Sequence, residues 1–229
     1  MRPTVQYDKP EAVDWTKHWS DEKQQSVAQR FFSFYRKAVF ARTVRYYVSR
    51  YFAPQGVFLE AGSGTSETSM RIDKKGGARV LVALDLIRPV LEQCHLVMDE
   101  RICGDIFHLP FRSGSVDGIW NVGVMEHFPH EQIDQIMREF HRVMRPGARL
   151  VMLWPATFSI PQRILRVIEY FVNLRHKGER FQFHPDEISQ VRSLQQGREI
   201  LSRNGFRALR VDAGMRSLMA FEIRVGEKP

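Results

Sequence analysis

The sequence predicts an α/β chain built on a doubly wound, mostly parallel seven-stranded sheet with an antiparallel last strand. Three observations carry this. Short, continuous apolar runs recur between residues 57 and 155: Val57-Phe58-Leu59, Arg79 to Leu84, Ile119-Trp120 and Leu150 to Trp154. Between them lie stretches with helical spacing of apolar residues, at Glu67 to Lys74, Arg88 to His95 and His130 to Met144. The runs are apolar throughout rather than alternating, as expected of strands covered on both faces by helices. Right-handed crossovers follow for such a sheet.

The flanks have a different texture. From about Ser20 to Phe52 the pattern is helical, and no acidic residue stands between Glu22 and Glu60, whereas Lys23, Arg30, Arg36, Lys37, Arg42, Arg45 and Arg50 all do. Ala53-Pro54-Gln55-Gly56 then marks a turn. We therefore expect a helical lid over residues 1–52 and a main domain over 53–229. Within the latter, 156–204 forms an insertion on the side where a second substrate would sit. In that insertion Ile160, Ile164, Leu165, Ile168, Phe171 and Val172 share one helical face among Arg163, Arg166 and Arg175. A helix over Asp186 to Arg203 ends at Asn204-Gly205, and strands near Arg207 to Val211 and Ser217 to Val225 complete the sheet.

Composition narrows the class. With 43% hydrophobic and 26% charged residues the chain is an ordinary globular protein. No run approaches the roughly 18 apolar residues of a membrane span, and the segment from Met1 to Pro10 has no secretory h-region. Cys94 and Cys103 are the two cysteines, too few for a disulfide framework and without a neighbouring ligand set for a metal. A reducing cytoplasm is the expected location. The formal charge of +8 draws anions such as nucleic acid, acidic lipid or an acidic small molecule, although a solubilising surface would look the same.

Five motifs follow in order. In Glu60-Ala61-Gly62-Ser63-Gly64-Thr65 a strand runs into two glycines, which suit a sharp turn that a ligand approaches without meeting a Cβ. A structural turn with no ligand would read alike. Asp85 closes the next strand; a carboxylate there can accept from both hydroxyls of a ribose, or simply cap the helix that follows. In Gly104-Asp105-Ile106, the carboxylate can accept from an exocyclic amine while Ile106 lies against a base, though an aspartate in a surface turn is the plainer reading. Asn121, within Val116-Asp117-Gly118-Ile119-Trp120-Asn121, ends the fourth strand facing the same crevice. Arg145-Pro146-Gly147 stops a helix before a strand.

Taken together, this order and spacing resemble the successive motifs of the class I S-adenosylmethionine-dependent methyltransferases, and most of all their type 11 small-molecule group. The resemblance spans about Val57 to Pro155. It implies a Rossmann-like fold and S-adenosylmethionine as cofactor, bound by Glu60, Ala61, Gly62, Ser63, Gly64, Asp85, Leu86, Asp105, Ile106 and Asn121. Gly62 and Gly64 would pass under the methionine portion, Asp85 would hold the ribose and Leu86 would flank adenine. Asp105 and Ile106 would bind the base, and the Asn121 carbonyl would lie near the cofactor amine. Where the family has its third loop glycine, this chain has Ser66, whose hydroxyl we expect to cap the following helix. A dinucleotide-binding dehydrogenase fits less well, because its third glycine would fall at Glu67, whose carboxylate would repel a pyrophosphate.

Methyl transfer from a sulfonium asks the protein mainly for alignment and exclusion of water. His127 is the candidate general base, unless it merely packs at the start of a helix. His18, between Trp15 and Trp19, is a weaker candidate, and those tryptophans fit either a lid or an anchor for the N-terminal helix. The basic, aromatic flanks suit a small-molecule or lipid-like acceptor, amphiphilic or anionic, reached with peripheral contact at a membrane. Core packing with solvated arginines gives the same composition. Asn121-Val122-Gly123-Val124 lacks the Pro-Pro-Tyr that follows the asparagine in enzymes methylating exocyclic base amines, which argues against nucleic acid. An RNA or protein methyltransferase and a non-catalytic cofactor-binding module are the alternatives.

Overall fold

In the computed structural model the described residues are 36–155, 167, 170, 173–174, 188–189, 193–213 and 221–229. Seven strands form one sheet: β1 (Gly56–Ala61), β2 (Arg79–Asp85), β3 (Glu100–Cys103), β4 (Val116–Val122), β5 (Met144–Pro155), β6 (Arg207–Asp212) and β7 (Phe221–Glu227). Their order is β3-β2-β1-β4-β5-β7-β6. Every pair from β3 to β5 is parallel, and β7 lies antiparallel between β5 and β6. The expected fold class and its antiparallel last strand are those observed.

The helices are α1 (Ala41–Tyr51), α2 (Arg88–Glu92), α3 (His130–Val143) and α4 (Leu194–Arg203). One face of the sheet packs Val44, Tyr47 and Val48 of α1 and Leu91 of α2 on Phe58, Leu81, Trp120, Val151 and Ile223. The other packs Ile133, Ile136, Met137 and Phe140 of α3 and Ile200 and Leu201 of α4 on Leu59, Ile119, Leu150 and Met152. The spacing of the α3 residues explains the helix: positions 133, 136, 137, 140 and 143 make one apolar stripe, fully buried. In α4, the Ser193 side chain caps the first turn by accepting from the Gln196 amide at 3.2 Å. Gly205, at φ +82, leads the chain out as expected.

Arg79 shows how a charged residue at a strand start becomes structural. Its guanidinium donates to the carbonyls of Ala53 (2.8 Å), Phe52 (2.9 Å) and Asp73 (3.2 Å). Two of those carbonyls follow α1, so the buried cation satisfies backbone acceptors that the helix leaves open and fixes α1 against the sheet.

Four expectations need correction. The stretch from Glu67 to Lys74 forms only a 3₁₀ turn over Glu67–Ser69, because the hydroxyls of Thr68 and Ser69 turn inward to Glu60. α2 ends at Glu92 rather than His95: the His95 amide donates to the Thr65 carbonyl at 2.9 Å, which draws the chain toward the glycine turn. Pro146-Gly147 does not precede β5 but lies within its first residues, where the register against β4 shifts between Val116 and Gly118. The helix expected from Asp186 begins at Leu194, since Ile188 and Ser189 are non-helical and bond to the Glu126 carbonyl. His18, Trp15, Trp19 and most of the amphipathic stretch from Ile160 lie outside the described residues.

Candidate functional site

The carboxyl ends of β1, β2, β3 and β4 meet at the glycine turn. Leaving β1, the amides of Gly62 and Ser63 both donate to the Leu84 carbonyl of β2, at 2.9 and 3.0 Å. Gly62 and Gly64 have φ of +70 and +51, a left-handed conformation that glycine adopts without steric cost. At Gly62 space is also limiting: a Cβ there would stand 2.8 Å from Val124 Cγ2. Ser66 keeps the same left-handed backbone, φ +54, although it carries a side chain. Its hydroxyl does not cap the turn that follows, contrary to expectation. It points inward instead, accepting from Cys94 Sγ at 3.2 Å and bonding to Glu60.

Glu60 is the most unusual group of the turn. Its side chain is enclosed, with Oε1 accepting from Ser69 Oγ at 2.7 Å while Trp120 Nε1 donates to that same hydroxyl at 3.0 Å. Oε2 is buried without a hydrogen-bond partner. Burial pushes the carboxyl pKa up from 4.5 to about 7, against the pull of the surrounding hydroxyls and the indole. Asn121, one strand away at the end of β4, is 1% exposed and its Nδ2 also has no partner. Two polar atoms thus stay dry and unsatisfied at the strand ends flanking the turn, Glu60 on the face covered by α1 and Asn121 on the face covered by α3 and α4, where a native fold would normally pair them.

Asp85 ties the second strand to this turn. Its Oδ2 accepts from the Gly64 amide at 2.8 Å and its Oδ1 from the Ile87 amide at 3.0 Å. The cap residue of α2 is Ile87, so Asp85 organises the loop rather than capping that helix. Leu86 next to it is 55% exposed, an apolar side chain held open to solvent at the crevice. Gly104 donates to the Asp85 carbonyl at 2.9 Å, which brings Asp105 and Ile106 alongside. Asp105 accepts from the Phe107 amide at 2.9 Å and faces His108 Nδ1 at 3.1 Å, while Ile106 is 9% exposed.

The loop after Asp105 is fastened from behind by two side chains of the motif Glu139 to Ala148, which in sequence signals only a helix stop. Glu139 accepts from the Leu109 amide at 2.8 Å, and Arg142 donates to the carbonyls of Leu109 (3.0 Å) and Phe111 (2.9 Å) while pairing with Glu139. The Arg142 hydrogen bond holds the Glu139 carboxyl below its ordinary range. Their Glu-x-x-Arg spacing on a helix is the one signal available, and it reads equally as a surface pair.

His127 closes a 3₁₀ turn, Met125–His127, immediately after β4. Its side chain is 7% exposed, and Nε2 lies 3.7 Å from Glu126 Oε1. The Glu126 carbonyl accepts from the amides of Ile188 (2.8 Å) and Ser189 (3.0 Å), and Trp154 Nε1 donates to the Ser189 carbonyl at 3.3 Å. The turn bearing His127 is therefore fixed between the ends of β4 and β5. Glu222 and Arg224 of β7 form a buried pair on the same side, also unanticipated: Glu-x-Arg on a strand reads as a solvent face.

Known proteins resemble this chain in sequence and in fold. Residues 59–152 match the family model described as a methyltransferase domain. The methyltransferase GfsG of Streptomyces halstedii is 34% identical over 104 residues, 41% of this chain and 36% of that protein. A malonyl-[acyl-carrier protein] O-methyltransferase of Dechloromonas aromatica (strain RCB) is 30% identical over 139 residues, 59% of this chain and 49% of that protein. The chain spans half or less of the length of the curated relatives it matches. Among solved structures, magnesium protoporphyrin IX methyltransferase from Synechocystis PCC 6803, described with bound SAH, superimposes with a TM-score of 0.64. The identity is 14%, over 93% of this chain and 94% of that one, so the likeness is one of fold.

Proposed function

We propose that this chain, whose residues 59–152 match a methyltransferase domain, is a class I S-adenosylmethionine-dependent methyltransferase that transfers a methyl group to a small-molecule acceptor and leaves S-adenosylhomocysteine. The observation that carries the reading is the glycine turn bonded to Asp85 through the Gly64 amide, with the buried, unpartnered atoms of Glu60 and Asn121 beside it. Those atoms fit the cofactor: an α-ammonium group donates to a carboxylate, and a carboxylate accepts from an amide. When bound, the sulfonium supplies an activated methyl group.

The residues divide the remaining work. Gly62 and Gly64 leave the turn open to the amino-acid portion, with Ala61 and Ser63 completing its backbone. Asp85 keeps lone pairs free on both oxygens beyond its two backbone bonds, enough to accept from ribose hydroxyls. Leu86 and Ile106 offer apolar surface to a base, and Asp105 stands at its polar edge. His127, held between β4 and β5, takes the proton of an O–H or N–H acceptor, a role that requires its neutral ring. Most of the rate then comes from alignment within a dry crevice. The acceptor is amphiphilic or anionic, in keeping with the net charge of +8 and with the exposed Val167, Tyr170 and Leu174, which share one helical face.

The test is a methyl-transfer screen with labelled cofactor against metabolite and lipid extracts, preceded by calorimetry with S-adenosylhomocysteine. Saturable binding and label in a discrete small-molecule product are expected. Absence of binding by the folded protein would overturn the assignment of the cofactor site.

A further inference from the structure

Glu222 and Arg224 are enclosed in the fold, at 1% and 0% exposure, yet they pair incompletely. Arg224 Nε donates to Glu222 Oε1 at 2.8 Å, and there the bonding stops: Glu222 Oε2 and both terminal nitrogens of Arg224 are buried without a partner. Arginine and carboxylate normally close two parallel bonds when they pair for stability alone. Each donor left open in a dry site costs about 1–3 kcal/mol. The neighbouring helix makes room for the pair as well. A Cβ on Gly197 of α4 would stand 2.3 Å from Glu222 Oε1 and 3.0 Å from Arg224 Nε, so the helix carries a mid-helical glycine, itself worth about 1 kcal/mol relative to alanine. Replacing such a pair by apolar residues is often neutral or favourable. These features disfavour a purely structural role.

The position of the pair points toward the acceptor. Asn121 of β4 is in register with Met152 of β5, and Met152 with Arg224 of β7, so the three share one row across the sheet near its carboxyl edge. Register partners point to the same face, so Arg224 lies on the side covered by α3 and α4, as Asn121 does. The guanidinium carbon sits 4.1 Å over the Trp154 ring, whose plane fixes its orientation. Glu126, in the turn that carries His127, acts on Arg224 from the β4 side, and Arg198 and Asp212 act on Glu222.

We propose that Arg224 binds the methyl acceptor, its two open terminal NH2 groups receiving a carboxylate or phosphate of that molecule. This rests on the methyltransferase reading and narrows it: the acceptor carries an anionic group held two strand spacings, about 10 Å, from Asn121. A planar guanidinium with two open terminal nitrogens matches the paired oxygens of either anion. The acceptor's anionic end completes the site, supplying the acceptor atoms that the ligand-free fold lacks.

The experiment titrates wild-type protein saturated with S-adenosylhomocysteine with succinate, inorganic phosphate or choline at constant ionic strength, by calorimetry. Saturable binding of at least one anion, and none of choline, is expected; which anion binds separates a carboxylate from a phosphate acceptor. The Glu222→Met/Arg224→Met double variant, which removes both charges together and so leaves neither buried alone, is expected to weaken that binding at least tenfold with unchanged S-adenosylhomocysteine affinity. Arg224→Lys, keeping the charge without the fork, is expected to fall in between. No saturable anion binding by the wild-type complex, or equal binding by the double variant, overturns the proposal, and the first of these needs no variant to fold. Failure of the cofactor reading registers separately, as absence of heat from S-adenosylhomocysteine itself.

Discussion

Asp85 Oδ2 and the Gly64 amide, 21 residues apart, meet at 2.8 Å and join the second strand to the turn of the first. One carboxylate thereby shapes the turn, and the proposed cofactor site gives it the ribose as well. Asp85→Ala is expected to weaken S-adenosylhomocysteine binding at least tenfold, about 1.4 kcal/mol. Calorimetry on the variant checks this, with a thermal melt as the control for folding. Unchanged affinity in a folded variant would withdraw the ribose role.

Glu60 gives a pH signature. Its carboxyl titrates near 7 in the fold against 4.5 for an unburied one, because burial disfavours the charged form. A group raised in this way contributes stability that is complete below about 4.5 and is lost as pH rises through 7. The ligand-free protein should therefore melt at progressively lower temperature between about pH 5 and 8, and Glu60→Gln should flatten that slope. If the ionised form receives the cofactor ammonium, binding releases a proton and tightens across the same window. Calorimetry in buffers of different ionisation enthalpy reads that proton directly, and no buffer dependence would separate Glu60 from the cofactor.

Much of this arrangement was legible in the sequence because it depends on short-range pattern. Val57 to Leu59 running into Gly62 and Gly64 marks a strand and its turn, and Asp85 marks the end of the next strand. What stayed hidden depends on contacts distant along the chain. Nothing local shows that Ser69 and Trp120, 51 residues apart, share a hydrogen bond beneath Glu60. Arg79 and Arg224 are charged residues that the fold buries, and hydropathy assigns both to solvent. The helix expected at Glu67 failed for a related reason: Thr68 and Ser69 are claimed by a carboxylate whose burial the sequence does not disclose.

At Gly62 two constraints coincide, backbone conformation and space, and they can be separated. Gly62→Ala is expected to destabilise the fold by about 1–3 kcal/mol, through a left-handed alanine and contact with Val124. Adding Val124→Ala opens the space but leaves the backbone strain, so recovery in urea melts should be partial. Full recovery would show that crowding alone keeps the glycine.

His127→Ala should slow methyl transfer with the acceptor found by the screen while leaving S-adenosylhomocysteine affinity within twofold. Equal rates in the two proteins would assign His127 to packing.

Flotation with anionic vesicles tests the lipid-like acceptor. Binding at low salt that weakens at physiological ionic strength is expected if the basic, apolar flank meets a membrane. The same behaviour with neutral vesicles, or no flotation in either salt, would remove the membrane from the model.

The antiparallel placement of β7 between β5 and β6 has a consequence for synthesis on the ribosome. β1 to β4, which carry the glycine turn, can assemble as soon as they emerge, but β5 keeps an open edge until residues 221–227 have been made. An unpaired edge strand invites association with other chains, so the nascent protein is most exposed to aggregation during that interval. Arg224 joins the fold last, after the donor half has already taken shape.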